Sequence, residues 1–365
     1  MNLSVGIAGL PNVGKSTLFN ALLKKQIANV ANYPFCTIEP NVGVIEVPDG
    51  RLPVLAKIVK TEKIVPAIVE FYDIAGLVKG ASVGEGLGNK FLSHIREVSA
   101  IIHVVRLFKD DSIIHVSSEI KPEDDIKTIE TELMLADLAT IEKQKEPRGN
   151  ATKEEMALFG LVKKLKGQLN DGLPVRKMGL TDEENASIKQ LNLLTAKPTI
   201  YLFNVSEEQL TNKKQTEEQI VRLLDNSAIE QFSNFILINA KLENEILTLS
   251  EKEQKEYLSE FKLEDTGLNR LIKKAYETLG LISFLTAGEK EVRAWTIRKG
   301  TNAQEAAGAI HTDFIKKFIK ADVVVYEDFV SANGWLKVRE LGKVSTVGRD
   351  YLMKDGEVVE FKIGS

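Results

Sequence analysis

The sequence predicts an α/β protein in three parts: a mostly parallel sheet flanked by helices, a helical hairpin inserted into it, and a small mixed β/α domain at the C-terminal end. Three observations predict this. Short apolar runs alternate with helical patterns over residues 1–122, amphipathic helices alone fill 123–196, and strand patterns resume over 197–280 before a strand-rich segment at 281–365. A chain of 365 residues is also too long for one ordinary domain.

The expected strands of the first part are 3–8, 42–47, 68–72 and 100–105; the last three are short, β-branched and nearly continuous in apolar residues, as strands covered on both faces are. In the insertion, Ile126, Ile129 and Leu133 share one helical face. Leu158, Leu161, Leu165 and Leu169 mark a second helix, and Ile188, Leu191 and Leu194 a third. Pro147-Arg148-Gly149-Asn150 and the turn at 172–174 separate them. Thr199-Ile200-Tyr201-Leu202-Phe203 and Phe235-Ile236-Leu237-Ile238 then complete the first sheet, and a helix follows at about 268–279. The C-terminal part reads as strands at 292–297 and 323–326, a helix around 303–310, and a last strand at 358–363.

The composition, 43% hydrophobic and 27% charged without a low-complexity tract, is that of a folded chain with a sizeable core. No run of about 18 apolar residues occurs, so no membrane-spanning helix is expected. Met1 leads straight into a strand-like run without a basic start, so no signal peptide is expected either. The single cysteine, Cys36, cannot form an internal disulfide, which suits a reducing cytoplasm. A net charge of −4 argues against wholesale polyanion binding and leaves room for a local basic face.

Gly9-Leu10-Pro11-Asn12-Val13-Gly14-Lys15-Ser16 matches the phosphate-binding loop pattern, between a strand and a helix. In such a loop the backbone N–H groups from Asn12 to Thr17 wrap phosphates, and the helix adds its positive end. Glycines at 9 and 14 allow backbone conformations that side chains block. Lys15 reaches the β and γ phosphates, the Ser16 hydroxyl holds Mg²⁺, and Thr17 donates to the α-phosphate. The bland alternative, a Gly-rich turn before a structural helix, does not account for all the fixed positions in this context.

Asp73-Ile74-Ala75-Gly76 ends a strand, where the Asp73 carboxylate can hold the magnesium shell through water and the Gly76 amide can meet the γ-phosphate. Gly80, Gly84, Gly86 and Gly88 follow; such a stretch is a surface loop and also permits a nucleotide-driven order–disorder change. Thr37 lies between the two motifs, where a first-switch threonine closes on Mg²⁺. Leu77 stands where many small GTPases carry a water-orienting Gln, so catalysis uses another group or is slow without a partner. His94, His103 and His115 are the imidazoles considered, and each alone reads as structural.

After the strand at 199–203 comes Asn204-Val205-Ser206-Glu207. GTP-specific relatives carry Asn-Lys-x-Asp there, with the Asp reading guanine. The Lys is missing here and the acid is one methylene longer, which argues against guanine and for an adenine met by Asn204. Backbone amides in Asn239-Ala240-Lys241-Leu242-Glu243 are expected to close over the base.

Together these residues resemble the Obg-like ATPases, the YchF subfamily of Obg-type P-loop hydrolases. Asp73-Ile74-Ala75-Gly76-Leu77-Val78-Lys79-Gly80-Ala81 and Asn32-Tyr33-Pro34-Phe35-Cys36-Thr37-Ile38-Glu39-Pro40-Asn41 are its most specific stretches, and the likeness covers essentially the whole chain. Lys290-Glu291-Val292-Arg293-Ala294-Trp295-Thr296-Ile297 and Ala306-Ala307-Gly308-Ala309-Ile310-His311-Thr312-Asp313-Phe314 look like its C-terminal β-grasp TGS domain. The resemblance implies a G domain over 1–122 and 197–280, a helical (coiled-coil) arm over 123–196 and a TGS domain over 281–365. It further implies a cytoplasmic, monomeric ATPase that binds the ribosome (the 50S subunit or 70S, or the eukaryotic equivalent) in translation or stress regulation. The family's candidate catalytic histidine falls on His115, and its K⁺-placing asparagine on Asn12. Lys316, Lys317 and Lys320 interleave with apolar residues and read either as a solvated surface or, by the resemblance, as an rRNA-contacting face. Two alternatives stand beside this reading: a GTP-specific GTPase of the same fold, and a non-hydrolysing, nucleotide-regulated adaptor.

Overall fold

The computed structural model describes residues 3–28, 41–74, 87–109, 121–147, 149, 151–226 and 235–364. Thr37, Gly76 and His115 lie outside the described residues. By contact the chain divides into two units, one made of residues 1–25, 38–43 and 70–271 and the other of 26–37, 44–69 and 272–365.

The first unit starts with β1 (Ser4–Ala8), α1 (Lys15–Ala28) and β2 (Val42–Glu46). The next elements, α2 (Arg51–Val59) and β3 (Ile64–Val65), group with the second unit, although the sequence pattern counts them with the first domain. Then come β4 (Ile68–Asp73), α3 (Leu87–Glu97) and β5 (Ala100–Arg106). The sheet order is β2-β4-β1-β5, continued by β6 (Thr199–Asn204) and β7 (Phe235–Ile238). β1 runs parallel to β4 and β5, and β5, β6 and β7 are parallel in turn. Every residue of β1, β5 and β6 is buried, as expected for 100–105. β2 and β4, expected to be covered on both faces as well, instead alternate between buried and half-buried residues. Because β1 lies between β4 and β5, the loop leaving its C-terminal end opens where ligands of such sheets bind.

The insertion consists of α4 (Pro122–Ile141), α5 (Lys153–Asn170) and α6 (Asp182–Ile188). Capping boxes, Thr152 with Glu155 and Thr181 with Glu184, start α5 and α6 by satisfying orphan N–H groups. α4 belongs to two cores. Ile126 packs with Phe203 and Leu237 of the sheet, whereas Met134 and Ile141 pack with Leu161, Leu165 and Leu191 of the arm. The expected third helix is shorter than its apolar face suggests: α6 ends at Ile188, a 3₁₀ turn covers Lys189–Leu191, and Asn192 turns left-handed at φ +46°. Asn tolerates that conformation better than most residues, and it ends the helix before Leu194.

Two buried carboxylates bind α4 to its surroundings. Glu130 Oε1 accepts from the Tyr201 hydroxyl at 2.9 Å and from the Arg176 guanidinium. Burial works against this carboxylate, yet the Arg176 charge and the Tyr201 hydroxyl bond carry it below the usual range. Asp137 accepts from the amides of Leu194 and Thr195 at 2.7 and 2.8 Å and from the Thr195 hydroxyl at 2.6 Å. His103, beside this group on β5, is pushed down to about 4 by burial and therefore stays neutral.

After β6 come α7 (Glu207–Thr211), α8 (Lys213–Asn226), α9 (Ala240–Ile246), α10 (Glu251–Glu260) and α11 (Gly267–Thr278). The second unit then builds a mixed sheet. Its elements are β8 (Leu281–Ala287), β9 (Val292–Arg298), α12 (Ala303–Ile310), α13 (Asp313–Lys317), β10 (Phe318–Val324), α14 (Tyr326–Ser331), α15 (Trp335–Glu340), β11 (Ser345–Val347) and β12 (Val358–Ile363). The order is β11-β10-β12-β8-β9-β3, with β12 parallel to β8 and α12 placing Ala303, Ala306 and Ala307 in the core. The strand expected at 323–326 is displaced. β10 starts at Phe318 and Tyr326 already opens a helix, because exposed Ile319 and Lys320 blur the alternation that would have marked the strand's beginning. Arg51 ties α2 to this unit through Asp49 and Asp355, with each ion pair at 2.8 Å.

Glu130→Ala would leave Arg176 buried without its counter-ion, so urea unfolding monitored by circular dichroism is expected to show about 3–5 kcal/mol lost. Glu130→Gln, which keeps an acceptor for Tyr201, is expected to lose less.

Candidate functional site

The loop after β1 is shaped by three backbone demands. Asn12 is left-handed at φ +63° and Gly14 sits at φ +103°. A Cβ on Gly14 would run into the Asn204 amide nitrogen, and one on Gly9 would lie 2.6 Å from the Val104 carbonyl oxygen. The loop therefore lies against β5 and β6 too closely for side chains there. α1 then begins at Lys15, and the Leu18 amide closes the first turn on the Gly14 carbonyl at 3.0 Å. Its remaining N–H groups and positive end face the loop, an arrangement suited to an anion.

Lys15 is 8% exposed, and its Nζ donates to the Leu10 carbonyl at 2.7 Å. Burial pushes this ammonium down to about 8, with Asp73 pulling the other way. Asp73 ends β4 directly opposite Ile7 of β1. Burial raises its carboxyl above the ordinary range, and Lys15 opposes the shift. Val13 is buried, whereas Asn12, Ser16 and Thr17 are exposed. The exposed Ser16 hydroxyl and the half-buried Asp73 carboxyl are hard oxygen donors. The described residues contain no group of three or more His, Cys, Asp or Glu that could hold a metal. Two protein oxygens completed by phosphate and water is a donor set that fits Mg²⁺, which keeps several of its waters.

A cavity of about 590 Å³ opens beside the loop, reached by Asn12, Gly14 and Thr17 on one side and by Val205, Ser206 and Glu207 on another. Asn204, at the end of β6, is 5% exposed. Its Nδ2 donates to the Val13 carbonyl at 3.0 Å, and its Oδ1 accepts from the Ala240 amide at 3.1 Å. The sequence assigns Asn204 to the base. Here it also joins the phosphate loop to α9, which leaves one amide hydrogen and one oxygen lone pair for a ligand. Val205 is buried, its amide donating to the Ile238 carbonyl at 2.9 Å, and Glu207 stands exposed at the start of α7 behind the Ser206 cap.

Sequence reasoning missed several participants. Phe108 and Lys109 line the cavity, and the Arg106 guanidinium lies 4.6 Å from the Phe108 ring centroid. Lys241, expected over the base through its backbone only, adds a second cation from α9. Asn244 Nδ2 donates to the Thr17 carbonyl at 2.9 Å, holding α9 to α1. Glu243, expected among residues over the base, is instead buried, and it accepts from the Gly267 and Leu268 amides at 2.7 and 3.1 Å to cap α11. Only the aromatic at 108 carries a local signal, as a ring directly beyond a buried strand. The others act through contacts between distant segments.

Comparison with known proteins gives a consistent result. A family model described as "50S ribosome-binding GTPase" matches residues 4–139. A second, YchF-GTPase_C, described as a protein of unknown function, matches residues 281–364. The "Ribosome-binding ATPase YchF" of Bacillus subtilis (strain 168) is 48% identical over 366 residues, covering 99% of both chains. Its namesake from Escherichia coli O157:H7 is also 48% identical with the same coverage. A solved structure, that of the Schizosaccharomyces pombe YchF GTPase, superposes with a TM-score of 0.88 at 39% identity, covering 99% of this chain and 98% of that one.

The depressed Lys15 value has a measurable consequence. Above a pH of about 8 the free protein loses this ammonium, whereas a bound polyphosphate would hold it protonated. Nucleotide binding is expected to take up nearly one proton there, so affinity falls by up to about tenfold per pH unit above that point. Titration calorimetry in buffers of different ionisation enthalpy reads the uptake directly; no uptake at pH 9 would contradict the assignment.

Proposed function

The chain belongs to the YchF family, and from that premise we propose that it is a ribosome-binding ATPase. It hydrolyses ATP to ADP and phosphate, and the nucleotide acts as a switch in translation or stress regulation. The observation that carries the adenine reading is the cavity wall after β6. Val205 fills the position of the missing lysine, Glu207 sits exposed at the helix start, and the Phe108 ring offers a face for stacking. An aromatic face holds either purine. The lack of a fixed carboxylate removes the paired acceptors that would favour guanine.

In this reading, the amides of residues 12–17 and the Lys15 ammonium hold the triphosphate, and Thr17 meets the α-phosphate. Ser16, Thr37 and Asp73 (through water) would hold Mg²⁺, which supplies positive charge to the β and γ oxygens. Asn12 would place a K⁺ ion beside the same phosphates, and the Gly76 amide would meet the γ-phosphate. Water attacks the γ-phosphorus, the bond to the bridging oxygen breaks, and ADP leaves. His115 is the proposed water-orienting group, in the role from which Leu77 is barred by its apolar side chain. The proposed setting is the cytoplasm, with the chain acting as a monomer on the 50S subunit or 70S ribosome. Among the described residues no helix is long and apolar enough to cross a membrane.

Lys316, Lys317 and Lys320 are exposed around the α13–β10 junction, and they supply the proposed rRNA phosphate contact. One relative is named an ATPase and another a GTPase, so GTP is the second reading to be tested.

Phosphate release is expected at roughly 10⁻³ to 10⁻⁴ per second without a partner, with ATP preferred over GTP in competition binding, and Lys15→Ala is expected to abolish it. Release unchanged by Lys15→Ala, or a preference for GTP, would overturn the corresponding part. Reversing Lys316, Lys317 and Lys320 to Glu is expected to weaken ribosome co-sedimentation and flatten its salt dependence by about three counter-ions. Unaltered salt dependence would remove these lysines from the interface.

A further inference from the structure

α3 begins directly after residues 75–86, the stretch that carries Gly76, Gly80, Gly84 and Gly86, to which the sequence attributes nucleotide sensing. Its opposite end is gripped by the inserted helices. The last carbonyls of a helix lack intrahelical partners, and a cation is their favoured one. Lys197 provides it, with Nζ donating to the Arg96 carbonyl at 2.8 Å and to the Val98 carbonyl at 2.5 Å. Asn192 Nδ2 approaches the same Arg96 carbonyl at 3.5 Å, and the Arg96 guanidinium donates to Thr140 Oγ1 of α4 at 3.4 Å. Every one of these partners lies on the insertion or where it returns to the sheet.

Lys197 is not an ordinary solvated lysine. Burial pushes its ammonium down to about 8, the Arg96 charge adds to this, and Asp137 opposes it. A charge held at such a cost in solvation is held by its hydrogen bonds. Its backbone is also fixed: Asp137 of α4 grips the amides of Leu194 and Thr195, immediately upstream. Lys197 therefore cannot follow α3 freely. A displacement of α3 either drags α4 with it or breaks the two carbonyl contacts.

We propose that Lys197 is a positioning residue that couples α3 to the inserted helices, passing nucleotide-dependent displacement at the phosphate loop into the arm. The proposal rests on the nucleotide reading given above. It assigns the arm a receiving role: α4 and α5 respond to what occupies the loop, although neither reaches the cavity.

The test compares the full chain with Lys197→Met, which keeps the stem but removes the donors, and with Lys197→Arg, which keeps a cation and donors. Hydrogen exchange over residues 122–170 is measured with ADP and with a non-hydrolysable ATP analogue, and affinity for both is measured on the same samples. In the wild-type chain, exchange in α4 and α5 is expected to differ between the two nucleotides. Lys197→Met is expected to shrink that difference at least about threefold while both affinities stay within about threefold, and Lys197→Arg to restore most of it. Should Lys197→Met melt below the working temperature, Arg96→Ala, which leaves the α3 carbonyls in place but removes the Thr140 contact and the guanidinium charge beside Lys197 and Asp137, is expected to shrink the difference as well. An undiminished difference in these variants overturns the coupling. So does arm exchange that ignores the nucleotide in a chain that binds it. A wild-type chain that binds neither nucleotide overturns both readings, and the absent binding identifies that case.

Discussion

One buried amide, that of Asn204, holds three segments at a point. It donates to the loop after β1, accepts from the start of α9, and itself ends β6. Gly14 is the complementary constraint, because any side chain there would collide with this amide. The geometry of the phosphate loop is thus set by a long-range contact as well as by its own glycines. A loop fixed in this way presents its N–H groups without the ordering entropy that a flexible loop would lose on binding. The same contact joins the wall of the cavity formed by the loop after β1 to the wall formed by the end of β6 and the start of α9.

The helical insertion is joined to the sheet by few but strong interactions. Its surface pairs, such as Lys127 with Glu123 and Lys166 with Glu142, are well exposed and contribute about 0–1 kcal/mol each. Glu130 and Asp137 differ in kind. Both are buried, and each has several donors, so removing either side of these contacts strands a polar group away from water. Because α4 also shares apolar cores with the sheet and with the arm, its orientation is determined from both ends. Such an element transmits displacement instead of absorbing it.

The sequence made the local parts of this structure legible. The glycines and lysine of residues 9–16, the buried strands β1, β5 and β6, and the apolar faces of α4 and α5 each announce themselves within a dozen residues. What escaped depends on partners far along the chain. The grouping of α2 with the C-terminal sheet needs Arg51 to find Asp355, some three hundred residues away. Glu243 could not be read as a cap for α11, because its partners lie at Gly267 and Leu268. The bonds of Asn204 to Val13 and Ala240 were hidden for the same reason. β10 was misplaced because exposed Ile319 and Lys320 interrupt its pattern, and the third arm helix was overextended because Asn192 ends it with a single dihedral angle. The residue patterns identified the kinds of group at the cavity, but not which of them were already engaged.

The contact between Lys15 and the Leu10 carbonyl carries a last consequence. The side chain is already docked on a neutral oxygen of its own loop, so an arriving phosphate competes for an occupied donor instead of recruiting a wandering one. On the proposed nucleotide reading, binding is an exchange of acceptors within a fixed frame, a charged phosphate oxygen displacing a neutral carbonyl. A ligand that offers several such oxygens at once, as a polyphosphate does, would gain most from that exchange.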